Sequence, residues 1–160
     1  PGEDFGLYDE PGMPFLEHSL QRYEKLDFIG HGPCFWAEVG RLPRPAMRKT
    51  VFRADCTQVG YNPPAGKIVE EGVVPQMLRE YGNLYGELSD AYYALKGDEE
   101  YFPRFLTEFA DRMFFGSDIC TKECPFNTLH LLIDWRDRGL ISQEVFDKIS
   151  HRNAIRYFGL

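Results

Sequence analysis

Arg112-Met113-Phe114-Phe115-Gly116-Ser117-Asp118 is a short apolar run that ends in a carboxylate. Its apolar residues are consecutive rather than alternating, the pattern of a strand buried on both faces, as in a parallel sheet. Two upstream stretches share this pattern. Leu26-Asp27-Phe28-Ile29-Gly30-His31, bounded by Gly32-Pro33, ends at a histidine. Leu84-Tyr85-Gly86-Glu87-Leu88 carries a glutamate one residue before its end.

Between and around these strands the apolar spacing is helical. Phe15, Leu16, Leu20, Tyr23 and Leu26 predict a helix over 14–26, with Pro14 in its first turn. Ile68, Val73, Met77, Leu78 and Tyr81 predict one over 68–81, bent or restarted at Pro75. Asp98 is placed to cap a helix over 99–111. Two more are expected over 125–138 and 142–158, the second with Ser142 as its N-cap. Residues 40–66, with Pro43, Pro45, Pro63 and Pro64, read mostly as loop, and loops of that length are often functional. The order α-β-α-β-α-β-α-α, without a dividing linker, indicates one α/β domain over residues 1–160 built from parallel βαβ units.

Composition narrows the function. Apolar residues make up 43% of 160, enough for a sizeable core. With 18 basic and 25 acidic residues the net charge is −7, which argues against nucleic acid or an anionic membrane as partner. No stretch approaches the roughly 20 apolar residues of a membrane span. Four cysteines do not make a disulfide framework and point to a reducing, cytoplasmic compartment. Cys120 and Cys124 form a C-x3-C without a second close pair, and are read as free thiols. No GxGxxG or GxxxxGK[ST] supports a nucleotide site.

Two architectures fit this order: an open doubly wound sheet, or part of a (β/α)8 barrel, which needs about 250 residues when whole. Both place functional groups at the carboxyl ends of strands, here His31, Glu87 and Asp118. A neutral imidazole flanked by Gly30 and Gly32, with room for an ion, can ligate a metal or move a proton; it can equally be hydrogen-bonded into the wall. A carboxylate after Phe114-Phe115-Gly116-Ser117 is costly to bury unless it is paired or bound to metal. Glu87 could bind substrate or buttress another group. Phe35-Trp36 walls a pocket for an apolar substrate or simply packs. Arg53 and Asp55 meet an anionic substrate group or are solvated charges. His18, His130 and His151 sit within helical patterns and read as surface or packing residues.

These residues carry a resemblance. Asp27-Phe28-Ile29-Gly30-His31-Gly32-Pro33 with Phe35-Trp36-Ala37-Glu38 resembles the sixth-strand region of the amidohydrolase-related metal-dependent hydrolases, in the branch that contains the aminocarboxymuconate-semialdehyde decarboxylase type. Asn83-Leu84-Tyr85-Gly86-Glu87-Leu88-Ser89 is similar to the seventh strand, and 112–118 to the eighth. Gly139-Leu140-Ile141-Ser142 and Asn153-Ala154-Ile155-Arg156-Tyr157-Phe158-Gly159-Leu160 are similar to the closing helices. The resemblance implies the C-terminal part of a (β/α)8 TIM-like barrel, strands six to eight. It implies a divalent metal, zinc in the first instance, with Asp118 as ligand and catalytic base and His31 as ligand or acid/base group. Trp36, Glu87 and Arg53 would then contact a small-molecule substrate. The reaction implied is attack of metal-activated water on a C–N or C–O bond. Metal-assisted decarboxylation and a non-catalytic α/β binding domain are the alternatives.

The family's first-strand His-x-His is absent from these residues, and its fifth-strand histidine would lie upstream of Pro1. The opening Pro1-Gly2-Glu3-Asp4-Phe5-Gly6 lacks Met and a secretory leader. The expectation is therefore a chain missing its N-terminal half that binds metal weakly, turns over little, and self-associates or is marginally stable through an uncovered sheet edge and lumen.

Overall fold

The computed structural model describes residues 9–41, 67–119 and 122–160, and the backbone of 51–52 and 58–59. Within them the chain is a mixed α/β structure around a three-stranded parallel sheet. Its elements are α1 (Pro14–Arg22), β1 (Phe28–Gly30), α2 (Gly32–Ala37), β2 (Val51–Phe52), β3 (Gln58–Val59), α3 (Val73–Glu80), β4 (Leu84–Glu87), α4 (Tyr92–Gly97), α5 (Phe102–Glu108), β5 (Met113–Phe114), α6 (Asn127–Asp137), α7 (Gln143–Asp147) and α8 (Asn153–Phe158). A single 3-10 turn, Ala110–Arg112, leads into β5, and a π segment, Lys148–Arg152, joins α7 to α8.

The sheet order is β1-β4-β5, in register Phe28↔Leu84, Ile29↔Tyr85, Gly30↔Gly86 and then Gly86↔Met113, Glu87↔Phe114. The expected parallel pairing is present, with helices in both crossovers. The strands are shorter than the apolar runs that announced them. After Phe114 the chain leaves the ladder, so Phe115 to Asp118 form an irregular segment. Separately, β2 and β3 make a two-stranded antiparallel ladder inside the stretch expected as loop.

Two helices escaped the sequence reading. Gly32-Pro33 looked like a stop, yet Pro33 lies in the first turn of α2, where its missing N–H costs nothing. Likewise α4 is only six residues long and follows a turn. Pro75 does not bend α3, because it too lies in the first turn. Asp98 does not cap α5, which starts at Phe102 behind Tyr101; it braces the turn ahead of that helix, its carboxylate accepting from the N–H groups of Glu100 (3.0 Å), Tyr101 (3.0 Å) and Ile68 (2.8 Å). Ser142 Oγ accepts from Val145 N–H at 3.1 Å.

One sheet face buries Leu84, Gly86, Leu88 and Met113 against Trp36, Leu78 and Leu106. The other carries Ile29, Tyr85 and Phe114. Tyr85 stacks on Phe114 at 5.7 Å, and Tyr157 of α8 meets both rings at 5.2 and 5.4 Å. This second face is only partly covered, with Ile29 and Phe158 exposed. Two polar side chains fasten the strand ends. Arg112 donates to the carbonyls of Leu78 and Tyr81 (2.9 Å) at the end of α3. Asn153 donates to Ala110 O (2.6 Å) and Met113 O (2.8 Å), tying α8 to β5. Among the described residues no helix is long and apolar enough to cross a membrane.

Candidate metal centre

Parallel register sets the site. Continuing the pairing Gly30↔Gly86 by one residue puts His31 opposite Glu87, on the same face as Ile29 and Tyr85. The two side chains meet there, His31 Nδ1 lying 2.7 Å from Glu87 Oε2. His31 is held in extended backbone (φ −139°, ψ 156°), and Gly32 then turns the chain at φ +84°, a left-handed conformation in which a side chain is strained. The expectation that Gly30 leaves room for an ion is not met. A Cβ there would lie 2.2 Å from the Phe35 ring, so this glycine serves packing.

Asp118 comes back toward His31 after the chain leaves β5. Its φ is +43°, in the left-handed region that Asp tolerates better than most residues. Asp118 Oδ2 lies 3.9 Å from His31 Nε2. Asp90, just beyond the end of β4, places its Oδ2 4.0 Å from the same nitrogen. His31, Asp90 and Asp118 each offer a donor atom within 4.8 Å of the others. Asp90 was missed in the sequence because it lies past the strand, where no periodicity marks it. The available signal was its place in Glu87-Leu88-Ser89-Asp90, at the same end of the sheet as His31.

Ser89 was missed for the same reason. Its hydroxyl donates to Glu87 Oε2 at 2.6 Å, and its N–H donates to Glu87 Oε1 at 2.9 Å. Burial pushes the Glu87 carboxyl up, but His31 and these two Ser89 donors outweigh it and hold it below its ordinary value. The hydrogen bond to Glu87 raises His31, against the opposing effect of burial, and the charges of Glu87, Asp90 and Asp118 add to the rise.

The remaining candidates sit elsewhere. Trp36 does not wall a substrate pocket. It is 0% exposed and its indole N–H donates to the Glu87 carbonyl at 3.0 Å, so it is core and supports the strand end. Arg53 and Asp55 lie outside the described residues. His18, His130 and His151 are exposed on helical segments. Cys124 is not a free thiol but disulfide-bonded. It lies beside a shallow pocket that opens at Asp90 and Asp118, walled by Tyr92, Phe115, Phe126 and Thr128.

The donor set fits a divalent ion. One imidazole nitrogen and two carboxylates are ligand types zinc accepts, and three protein ligands leave a position open, as in catalytic sites. The His31–Glu87 hydrogen bond is the arrangement that orients a ligating histidine through its other nitrogen. Compared with protein-family models, curated proteins and solved structures, the chain matches none.

Proposed function

We propose that the chain is the C-terminal part of a (β/α)8 barrel of amidohydrolase type, and that it contributes His31, Asp90 and Asp118 to a divalent metal centre for hydrolysis of a C–N or C–O bond. The observation that carries this reading is the approach of Asp118 and Asp90 to His31 Nε2, at 3.9 and 4.0 Å, while Nδ1 is occupied by Glu87. The order of strands and the helical crossovers agree with a barrel segment. A bound ion, zinc by its donors, supplies Lewis acidity for attack of water on the scissile bond. His31 and the two aspartates hold the site, and the Asp118 carboxylate takes the proton of the attacking water. Tyr92, Phe115 and Phe126 border the substrate and shield it from bulk solvent.

The expectation of weak binding rested on two donors, and Asp90 supplies a third. Isothermal titration of Zn²⁺ into this chain tests the reading. We expect one ion per chain, with affinity lowered at least about tenfold by Asp118→Asn, no less than the loss of a supporting residue typically causes. Absence of binding, or undiminished binding in that variant, counts against the proposal.

A further inference from the structure

The Glu87 carboxylate is surrounded by three donors. Oε1 receives the Ser89 N–H at 2.9 Å, and Oε2 receives the Ser89 hydroxyl at 2.6 Å and approaches His31 Nδ1 at 2.7 Å. An ionised carboxylate only accepts hydrogen bonds. Two acceptors do not sit 2.7 Å apart, so the proton of this contact belongs to Nδ1. When His31 loses its second proton, it must lose it from Nε2, the nitrogen facing Asp90 and Asp118.

The room for this arrangement is made by a glycine. A Cβ on Gly116 would lie 2.1 Å from Glu87 Oε1 and 2.8 Å from Glu87 Cδ. Any larger residue there pushes the carboxylate off its present position. The same segment, Gly116 to Asp118, thus carries a ligand candidate and clears space for the group that orients another.

We infer that Glu87, braced by Ser89 and accommodated by Gly116, is a positioning residue that fixes neutral His31 as its Nδ1–H tautomer, so that Nε2 presents a lone pair to a cation between Asp90 and Asp118. The functional consequence rests on the metal reading above; the tautomer itself does not. Glutamine at position 87 reverses the instruction. Its carbonyl oxygen, in the place of Oε1, keeps the Ser89 N–H, and its amide N–H₂, in the place of Oε2, faces Nδ1 and donates to it, which moves the ring proton to Nε2.

The test is a pair of measurements on the full chain. Long-range ¹H–¹⁵N correlation spectra, taken on the alkaline side of the imidazole titration, report which nitrogen of His31 carries the proton. Zn²⁺ titration reports affinity. In the wild type we expect the Nδ1–H tautomer to dominate. Glu87→Gln should shift the population toward Nε2–H and weaken Zn²⁺ about 10- to 100-fold, the usual effect of losing such a partner. Gly116→Ala alters no polar group and is expected to do the same by displacing the carboxylate, which keeps the inference testable if Glu87→Gln does not fold. A wild-type spectrum dominated by Nε2–H overturns the inference, as does an unchanged tautomer in both variants. If the tautomer shifts as stated but wild type takes up no Zn²⁺, the positioning role stands and the metal reading falls. If Zn²⁺ binds equally to wild type and both variants with the tautomer unchanged, the reverse holds.

Discussion

Asp118 combines a candidate ligand with an uncommon backbone. At φ +43° its side chain stands close to the following carbonyl, a conformation that costs an ordinary L residue roughly 1–2 kcal/mol. Glycine escapes this cost and alanine does not. Removing the carboxylate should therefore separate stability from binding. Asp118→Gly is expected to be more stable than Asp118→Ala by about 1 kcal/mol in urea denaturation, while both lose Zn²⁺ affinity alike. Equal midpoints for the two variants would show that the position carries no backbone strain. His31, Glu87 and Asp118 were legible because a polar residue at or near the end of an apolar run is conspicuous, although the strand before Asp118 stops at Phe114. Ser89 and Asp90 were not, since they follow the strand in a turn where nothing periodic sets them apart. Trp36 was ambiguous in sequence because an aromatic residue next to a candidate site can face either way; burial and its N–H bond to the Glu87 carbonyl decide for the core.

At the scale of elements, the parallel strands were readable from their consecutive apolar residues, and the long helices from their 3.6-residue spacing. Short helices were not. Six-residue α2 and α4 span too few turns for periodicity to show, and a Gly-Pro start disguised the first. The expected continuous helix over 142–158 is present as α7, a π segment and α8, and the deviation has a structural partner. Within the π segment the Ile149 carbonyl accepts from Phe115 N–H at 2.9 Å, so this stretch receives the chain as it leaves β5. Asn153, 2% exposed, closes the same junction through Ala110 O and Met113 O. Asn153→Ala leaves two inward carbonyls without this donor, and should cost about 1–3 kcal/mol, an effect read from the urea midpoint. A midpoint unmoved by the substitution would mean that α8 is held by its other contacts, the Tyr157 and Phe158 rings and the Arg156 bond to the Asp111 carbonyl. The composition of the junction (one amide serving two carbonyls) was visible in the sequence only as a motif, and its role required the tertiary placement of α8 against β5.

For the whole molecule, the sign of the titration shifts sets the dependence of stability on pH. Glu71 is held below its ordinary value chiefly by the hydrogen bond from Arg79. Burial pushes Asp98 up, but the N–H groups of Ile68, Tyr101 and Glu100 reverse it, leaving this carboxyl too below its ordinary value. Groups lowered in the folded state contribute stability above their unfolded values, near 3.8 for Asp and 4.5 for Glu, and lose it as pH falls through the folded value. His31 is raised above 6.5, mainly by Glu87, so its contribution is complete below 6.5 and is lost as pH rises through the folded value. The chain should therefore unfold steeply on the acid side and weaken slightly on the alkaline side, the second effect being small because His31 is half exposed. Asp98 is the sharpest probe, at 6% exposed with three backbone donors converging on it. Asparagine there can still accept from Glu100 and Tyr101 but turns an amide toward the N–H of Ile68. Asp98→Asn should cost about 1–3 kcal/mol at about pH 7. As pH falls below 3.8 and through the lowered value of the folded carboxyl, wild-type Asp98 becomes protonated as well, and the gap should narrow with pH. Urea melts on either side of that titration measure both gaps. A difference between wild type and variant that stayed constant across that range would show that the charge of Asp98, as distinct from its shape, contributes nothing to holding Ile68 against the start of α5.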